Sequence, residues 1–177
     1  MQAALSRDGL RMGLQLQGCS MTKQRGFSLI ELLIVVAIIL IISAIAIPNY
    51  LRSRIQANEA SAVASLRMIN TAAVTYSSTY VNIGFPVNMT DMGGANPCAA
   101  SSTNACILDD SIAQGTKSGY SFVWLGDGAT PSVAYSITAT PLTVGGSGQR
   151  QFCTDYVGVI RFEPSGAGCT AASGPVQ

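Results

Sequence analysis

From Phe27 to Ile47 the chain is apolar at nearly every position, interrupted only by Ser28, Glu31 and Ser43. A run of about 20 apolar residues is long enough to cross a bilayer as a helix. Beyond Pro48 the pattern changes. Apolar residues fall at Leu51, Ile55, Ala62, Leu66, Ile69, Ala73, Tyr76 and Tyr80, mostly in steps of three and four. Such steps mark one face of a helix. Arg52, Arg54, Glu59, Ser61, Ser65 and Arg67 lie largely off that stripe. The two stretches together predict one helix from Phe27 to about Tyr80. It is apolar all round in its first half and amphipathic in its second, so one element serves as membrane span and as spine for a soluble head. About 54 helical residues would span about 80 Å. Pro48 interrupts the pattern. It lacks the N–H that would bond the Ala44 carbonyl and its ring crowds that turn, so a kink or a locally loosened segment is expected there.

Residues 81–118 are rich in Asn, Ser, Thr, Gly and Ala. They read as a long irregular connection with one short helix around Cys106–Ala113. Four strand candidates follow: Tyr120–Leu125, Ser132–Thr140, Gln151–Tyr156 and Val159–Phe162. The last two are separated by a tight turn at Tyr156-Val157-Gly158, and Gly and Pro punctuate the gaps. The expected fold class is therefore α+β, a small antiparallel sheet packed on the amphipathic half of the helix. The tail from Pro164 reads as a loop.

Glu31 is the chemical anomaly of the apolar run. A carboxylate in such a segment costs about 2.5–3.5 kcal/mol on insertion scales, so it needs a partner or a place near the interface. If the chain is cut between Gly26 and Phe27, a new α-amine appears beside Glu31, and a neighbouring copy can offer its own amine to this carboxylate. The plainer alternative is a carboxylate near the helix end that snorkels to the headgroups. Lys23 and Arg25 directly precede the apolar run and favour a cytoplasmic leader, with the rest facing the periplasm. Arg52 and Arg54 lie on the far side. Residues 1–20 lack the apolar core of a secretory signal, and Met21 is a candidate start. Leu16-Gln17-Gly18-Cys19 has no apolar stretch before it and makes a poor lipoprotein box.

The 177-residue chain has a formal net charge of +1. Without residues 1–26, six basic and eight acidic side chains remain, a formal charge of −2. That balance argues against a strong direct nucleic-acid ligand, which calls for a basic patch or stripe. Histidine is absent, removing the commonest general base and metal ligand. Of the five cysteines, Cys19 precedes the proposed cut and Cys98, Cys106, Cys153 and Cys169 follow it. With no C-x-x-C pair, two disulfides made in an oxidising compartment fit better than a zinc site. Four cysteines allow three pairings. Cys98–Cys106 and Cys153–Cys169 are the short closures and are favoured, although loop closure alone does not decide.

Other motifs weigh less. Asp109-Asp110 and Asp127-Gly128 could offer oxygens to calcium but lack a specifying spacing, and turn or cap roles are expected. Ser20-Met21-Thr22-Lys23 has the S-x-x-K form and Lys117-Ser118-Gly119 approximates K-T-G, but the first lies in the leader, so no enzyme is expected. No cofactor or metal is expected. Asn88-Met89-Thr90 has the form of a glycosylation sequon. Tyr50, Tyr76, Tyr80 and Phe85 are expected to be core residues rather than a charge-conducting path.

The segment Arg25-Gly26-Phe27-Ser28-Leu29-Ile30-Glu31-Leu32-Leu33-Ile34-Val35-Val36-Ala37-Ile38-Ile39 resembles the class III signal of type IV pilins. So does its continuation Ala44-Ile45-Ala46-Ile47-Pro48-Asn49-Tyr50. The close resemblance runs from Lys23 to near Tyr80. It implies a pilin fold and a membrane peptidase that cuts after Gly26 and methylates Phe27. It also implies a role for Glu31 in filament registry. It casts residues 81–118 as the αβ-loop and Cys153–Cys169 as a disulfide-closed C-terminal loop. The family often has glycine eight residues before the proline. This chain has Leu40 there, so loosening between Leu40 and Pro48 rests on Pro48 alone.

The expected organisation is a leader at 1–26, a transmembrane and assembly helix at 27–48, an amphipathic helix at 49–80 and a head at 81–177. The resemblance implies a structural subunit of a filament of identical copies, held in the inner membrane before assembly and extracellular after it. Its partners would be prepilin peptidase, the inner-membrane assembly machinery, membrane lipid and other copies. Adhesion, twitching motility and DNA uptake are the roles found in the family. A pseudopilin of type II secretion is the nearest alternative, and a monomeric membrane-anchored binding module is a more distant one.

Overall fold

The computed structural model describes residues 26–94 and 97–176. Met21, Lys23, Arg25, Cys19 and the Ser20–Lys23 motif lie outside the described residues. Two compact units divide the chain, with the boundary between Ile41 and Ile42. The long helix α1 spans Leu29–Thr79, against the expected Phe27 to Tyr80. It is continuous through Pro48, so the proline does not end the helix.

In the first unit every described residue is exposed. Leu29, Ile30 and Leu40 keep 79%, 65% and 63% of their surface. Among the described residues α1 is the one helix long and apolar enough to cross a membrane.

The second unit is built on an antiparallel sheet. After α1 come a 3₁₀ turn at Met89–Met92 and the short helix α2 at Asp110–Ala113. The strands are β1 Thr116–Lys117, β2 Tyr120–Gly126, β3 Tyr135–Pro141, β4 Gln151–Asp155, β5 Arg161–Glu163 and β6 Gly174–Pro175. They are ordered β1-β2-β3-β4-β5-β6, each hydrogen-bonded to its chain neighbour. The register aligns Phe122 with Ala139, Ala139 with Phe152, and Phe152 with Phe162 across four strands. Side chains alternate faces along a strand, so this row turns toward α1. The helix answers with Ala62, Leu66, Ile69, Ala73 and Tyr76, all buried. These are the three- and four-residue steps of the stripe. Its first two positions differ, Leu51 being exposed and Ile55 half-buried.

The polar tips of the packed aromatic residues find partners, whereas the buried Ser65 Oγ has none among the described residues. Tyr120 donates to the Arg150 carbonyl at 2.8 Å and Trp124 to the Pro86 carbonyl at 3.2 Å. Tyr135 donates to Asn70 Oδ1 at 3.1 Å, and Asn70 donates in turn to Thr154 at 3.1 Å. Parts of the 81–118 segment contribute to the core. Met89, Met92, Leu108 and Ile112 all sink into the core. The short helix forms at the C-terminal end of the expected range, where Asp109 Oδ1 caps the Ser111 N–H at 2.9 Å.

Strand β1 falls in the stretch expected to be irregular, and several strand boundaries depart from the sequence reading. Strand β3 starts at Tyr135, three residues later than expected. The Val133 and Ala134 N–H groups donate to Asp127 Oδ2 at 2.9 and 3.1 Å, so their donors are spent before the ladder begins. Strand β5 likewise starts at Arg161, not Val159. The tail expected as loop contributes β6, an edge strand of Gly174 and Pro175. An edge is where a sheet tolerates proline.

Glu59 and Ser65 lie off the three-and-four stripe, yet they retain only 5% and 1% of their surface. Glu59 faces the segment leading into β4 and receives four donors there. Its Oε1 accepts the Gln149 and Arg150 N–H groups at 2.9 and 3.1 Å. Its Oε2 accepts Arg150 Nε at 2.8 Å and pairs with Nη2 at 2.7 Å. Burial pushes the carboxyl up, but these hydrogen bonds and the guanidinium outweigh it and hold Glu59 below the ordinary carboxylate range. A carboxylate depressed in the folded state contributes stability above its unfolded value of about 4.3, lost as pH falls through the folded value.

Two predictions follow from this packing. Leu66→Ala, at a fully buried position, should cost about 2–5 kcal/mol. Chemical denaturation followed by Trp124 fluorescence would measure it, since that ring stacks on Tyr135 at 4.4 Å. Glu59→Gln should lower stability at neutral pH and make it fall less steeply than wild type on acidification below about pH 4.3. Denaturation midpoints across an acid pH series would read the change in slope.

Candidate processing and assembly segment

Gly26, Phe27 and Ser28 precede α1 and are not helical. The helix starts when the Ser28 carbonyl accepts the Glu31 and Leu32 N–H groups at 3.1 and 3.2 Å. Glu31 therefore stands in the first turn. The first N–H groups of a helix have no partner within it, and negative charge is favoured there. Ser28-Leu29-Ile30-Glu31 also has the S-x-x-E spacing of a capping box, a local signal that the sequence reading passed over.

Phe27 is 76% exposed. A Cβ placed on Gly26 would meet no described atom within 4 Å, so packing among the described residues does not demand glycine there. Gly26, Phe27 and Glu31 thus share one short exposed segment at the start of α1. Further along that helix Leu29, Leu32, Leu33, Val36, Ala37 and Leu40 line a shallow apolar groove. Pro48 lies in the second unit.

The cysteines are joined as Cys98–Cys106 and Cys153–Cys169, with Cα separations of 6.1 and 5.8 Å. The first closes a small loop before α2. The second ties the tail to β4, assisted by Gln151 Oε1, which accepts the Cys169 N–H at 2.7 Å.

The aspartates singled out in the head, Asp127 and Asp109, accept hydrogen bonds from nearby backbone. Asp127 accepts from Val133, Ala129 and Ala134, and hydrogen bonding, that from Val133 foremost, holds its carboxyl down at about 2. Asp109 caps α2. Among the described residues no cluster of three or more His, Cys, Asp or Glu is placed to hold a metal. Tyr76 and Tyr80 touch at 4.8 Å, and Phe85 meets Tyr135 edge-on at 4.8 Å. Tyr76 is in the core and Tyr80 and Phe85 pack against it, whereas Tyr50 stands apart, 66% exposed. The Glu59–Arg150 pair is the polar feature that sequence reasoning missed. Only a lone carboxylate one turn before Ala62 pointed to it.

Residues 21–47 match the family described as "Prokaryotic N-terminal methylation motif". The chain is similar to the type IV major pilin protein PilA of Myxococcus xanthus (strain DK1622), 45% identical over 56 residues. That alignment covers 32% of this chain, and the chain spans about a quarter of the relative's length, 26%. No solved structure gives a significant match. The motif and the similarity support a type IV pilin.

Closing a loop of about 15 residues removes about 3 kcal/mol of unfolded-state entropy, and a shorter loop removes less. The Cys153→Ser/Cys169→Ser variant should therefore lose about 3 kcal/mol. Cys98→Ser/Cys106→Ser should lose less, as its cysteines are 8 rather than 16 residues apart. Denaturation of both variants under one set of conditions would rank them.

Proposed function

We propose that this chain is a structural subunit of a type IV pilus, made as a precursor, cut between Gly26 and Phe27 and polymerised through α1. The observation that carries the reading is the methylation motif over residues 21–47 running into an exposed apolar helix with Glu31 in its first turn. The motif and that helix fit an inner-membrane-anchored precursor that becomes an extracellular pilus. A type IV pilin is a structural subunit and not an enzyme.

In this reading prepilin peptidase recognises the exposed Gly26-Phe27 segment, releases the leader and methylates the Phe27 amine. Glycine suits a peptide bond that must enter a protease, since it adds no side chain beside the scissile carbonyl. The freed amine of one copy then pairs with Glu31 of its neighbour. The pair matters because assembly moves the first turn of α1 from the bilayer interface into a filament interior, where an unpaired carboxylate is costly. The apolar residues from Phe27 to Ile47 exchange lipid contacts for helix contacts, so packing decides the fit. Ala37, Ser43, Ala44 and Ala46 permit close approach of backbones, and Pro48 marks the passage from assembly helix to head. The leader at 1–26, the helical segments at 27–48 and 49–80 and the head at 81–177 divide these tasks.

Mass spectrometry of protein sheared from intact cells tests the reading. An abundant chain beginning at methylated Phe27 is expected. A processed chain confined to the cell envelope would favour a pseudopilin of type II secretion, and an uncut chain would overturn the assignment of Gly26 and Phe27. Glu31→Ala should leave cleavage intact and reduce surface filaments at least tenfold, counted by electron microscopy. Unchanged filament numbers would point to a role for Glu31 confined to the helix end.

A further inference from the structure

Arg52 and Arg54 are unexplained by the head. Both are exposed, and among the described residues the ion pair is Arg150–Glu59, which involves neither. They also stand on the side of the apolar run where cations work against the orientation set by Lys23 and Arg25. Their place along α1 is informative. Arg52 and Arg54 follow Ile47 by five and seven residues, about 7 and 10 Å beyond the apolar run. A headgroup layer is about 5–7 Å thick on each side of the hydrocarbon. Cα–Cβ bonds of a helix tilt toward its N-terminus, so these long side chains lean back toward that layer and can snorkel into it.

The two arginines point to different sides, because a spacing of two residues is about 200° of helix rotation. Arg54 shares its face with Tyr50, one turn earlier and 66% exposed. Arg52 lines a cleft of about 510 Å³ with Ile55, Gln56, Glu59, Gln149 and Arg150. There Glu59 is already neutralised by Arg150, so Arg52 leaves the cleft with net positive charge. A second copy seated against one face of α1 meets one of these arginines. A lipid leaflet surrounds the helix and meets both, with the tyrosine at the level where aromatic rings collect.

We propose that Tyr50, Arg52 and Arg54 form a collar that binds the anionic phospholipids of the leaflet facing the head. The inference rests on the membrane reading given under the proposed function. The collar holds the subunit at the bilayer surface, and filament entry must break it.

The test places the full chain in vesicles of phosphatidylcholine and phosphatidylglycerol and measures by electron paramagnetic resonance which spin-labelled lipid it immobilises. Phosphatidylglycerol should be preferred about fivefold for each arginine engaged, and high salt should reduce the preference. Arg52→Gln/Arg54→Gln should bring the ratio near one while Trp124 fluorescence stays native, and Arg52→Lys/Arg54→Lys should retain the preference. A wild-type ratio near one, or a preference that survives the glutamine variant, overturns the collar. If the chain immobilises no lipid of either kind, the membrane reading itself falls, and the collar with it.

Discussion

The carboxylate of Glu59 is the interaction on which the head depends. It is the point where α1 is fastened to the sheet by charge as well as by packing. Four donors converge on it, two from the backbone at Gln149 and Arg150 and two from the Arg150 guanidinium. The segment entering β4 would otherwise bring two N–H groups to a partly buried seam without a protein acceptor, and a donor left unpaired on burial costs up to about 1–3 kcal/mol. The guanidinium in turn lies near the Phe152 and Phe162 rings, 5.5 and 5.4 Å from their centroids. The same arginine therefore joins helix, β4 and β5. Hydrophobic burial is non-directional. A helix with an alanine-rich stripe can slide by a turn at modest cost in area, but it cannot slide without abandoning this carboxylate.

Two glutamates on one helix thus meet different needs. Glu59 finds every partner within its own chain and fixes an intramolecular register. Glu31 stands exposed in the first turn of α1, where its proposed partner is the amine of another copy, and so would fix an intermolecular one. In both places a charge is set beside apolar surface that by itself tolerates several alignments.

The sequence made the elements legible wherever a periodicity was long. The switch from an all-round apolar run to a three-and-four stripe located α1 within two residues at its start, aromatic and β-branched content located β2, and alternation located the body of β3. The methylation segment was legible because a carboxylate in an apolar run is conspicuous by cost. Legibility ended where tertiary contacts overrode local pattern. Glu59 is polar and reads as surface; its burial depends on Arg150, 91 residues away, which no local window contains. The first residues of the expected β3 were lost to Asp127, whose carboxylate captured their N–H groups. The strand β6 was invisible because glycine and proline are depleted in strands, and it forms only because β5 offers an edge. The αβ-loop looked irregular by composition, yet its methionines and Ile112 are core.

The proposed collar bears on which way a subunit of this kind would travel. A helix that is apolar all round has little hydrophobic reason to leave lipid for other helices, since lipid tails are as apolar as leucine. Its transfer is then decided by small packing differences and by the few polar groups that change surroundings. At one end of the run the proposed Glu31 pair favours the filament. At the other, the proposed contacts of Arg52 and Arg54 with anionic headgroups favour the membrane. Because these terms oppose one another, a subunit can be retained in the bilayer without being trapped there. On the proposed reading, anionic lipid content becomes a physical variable that sets how readily such a subunit is drawn into a filament.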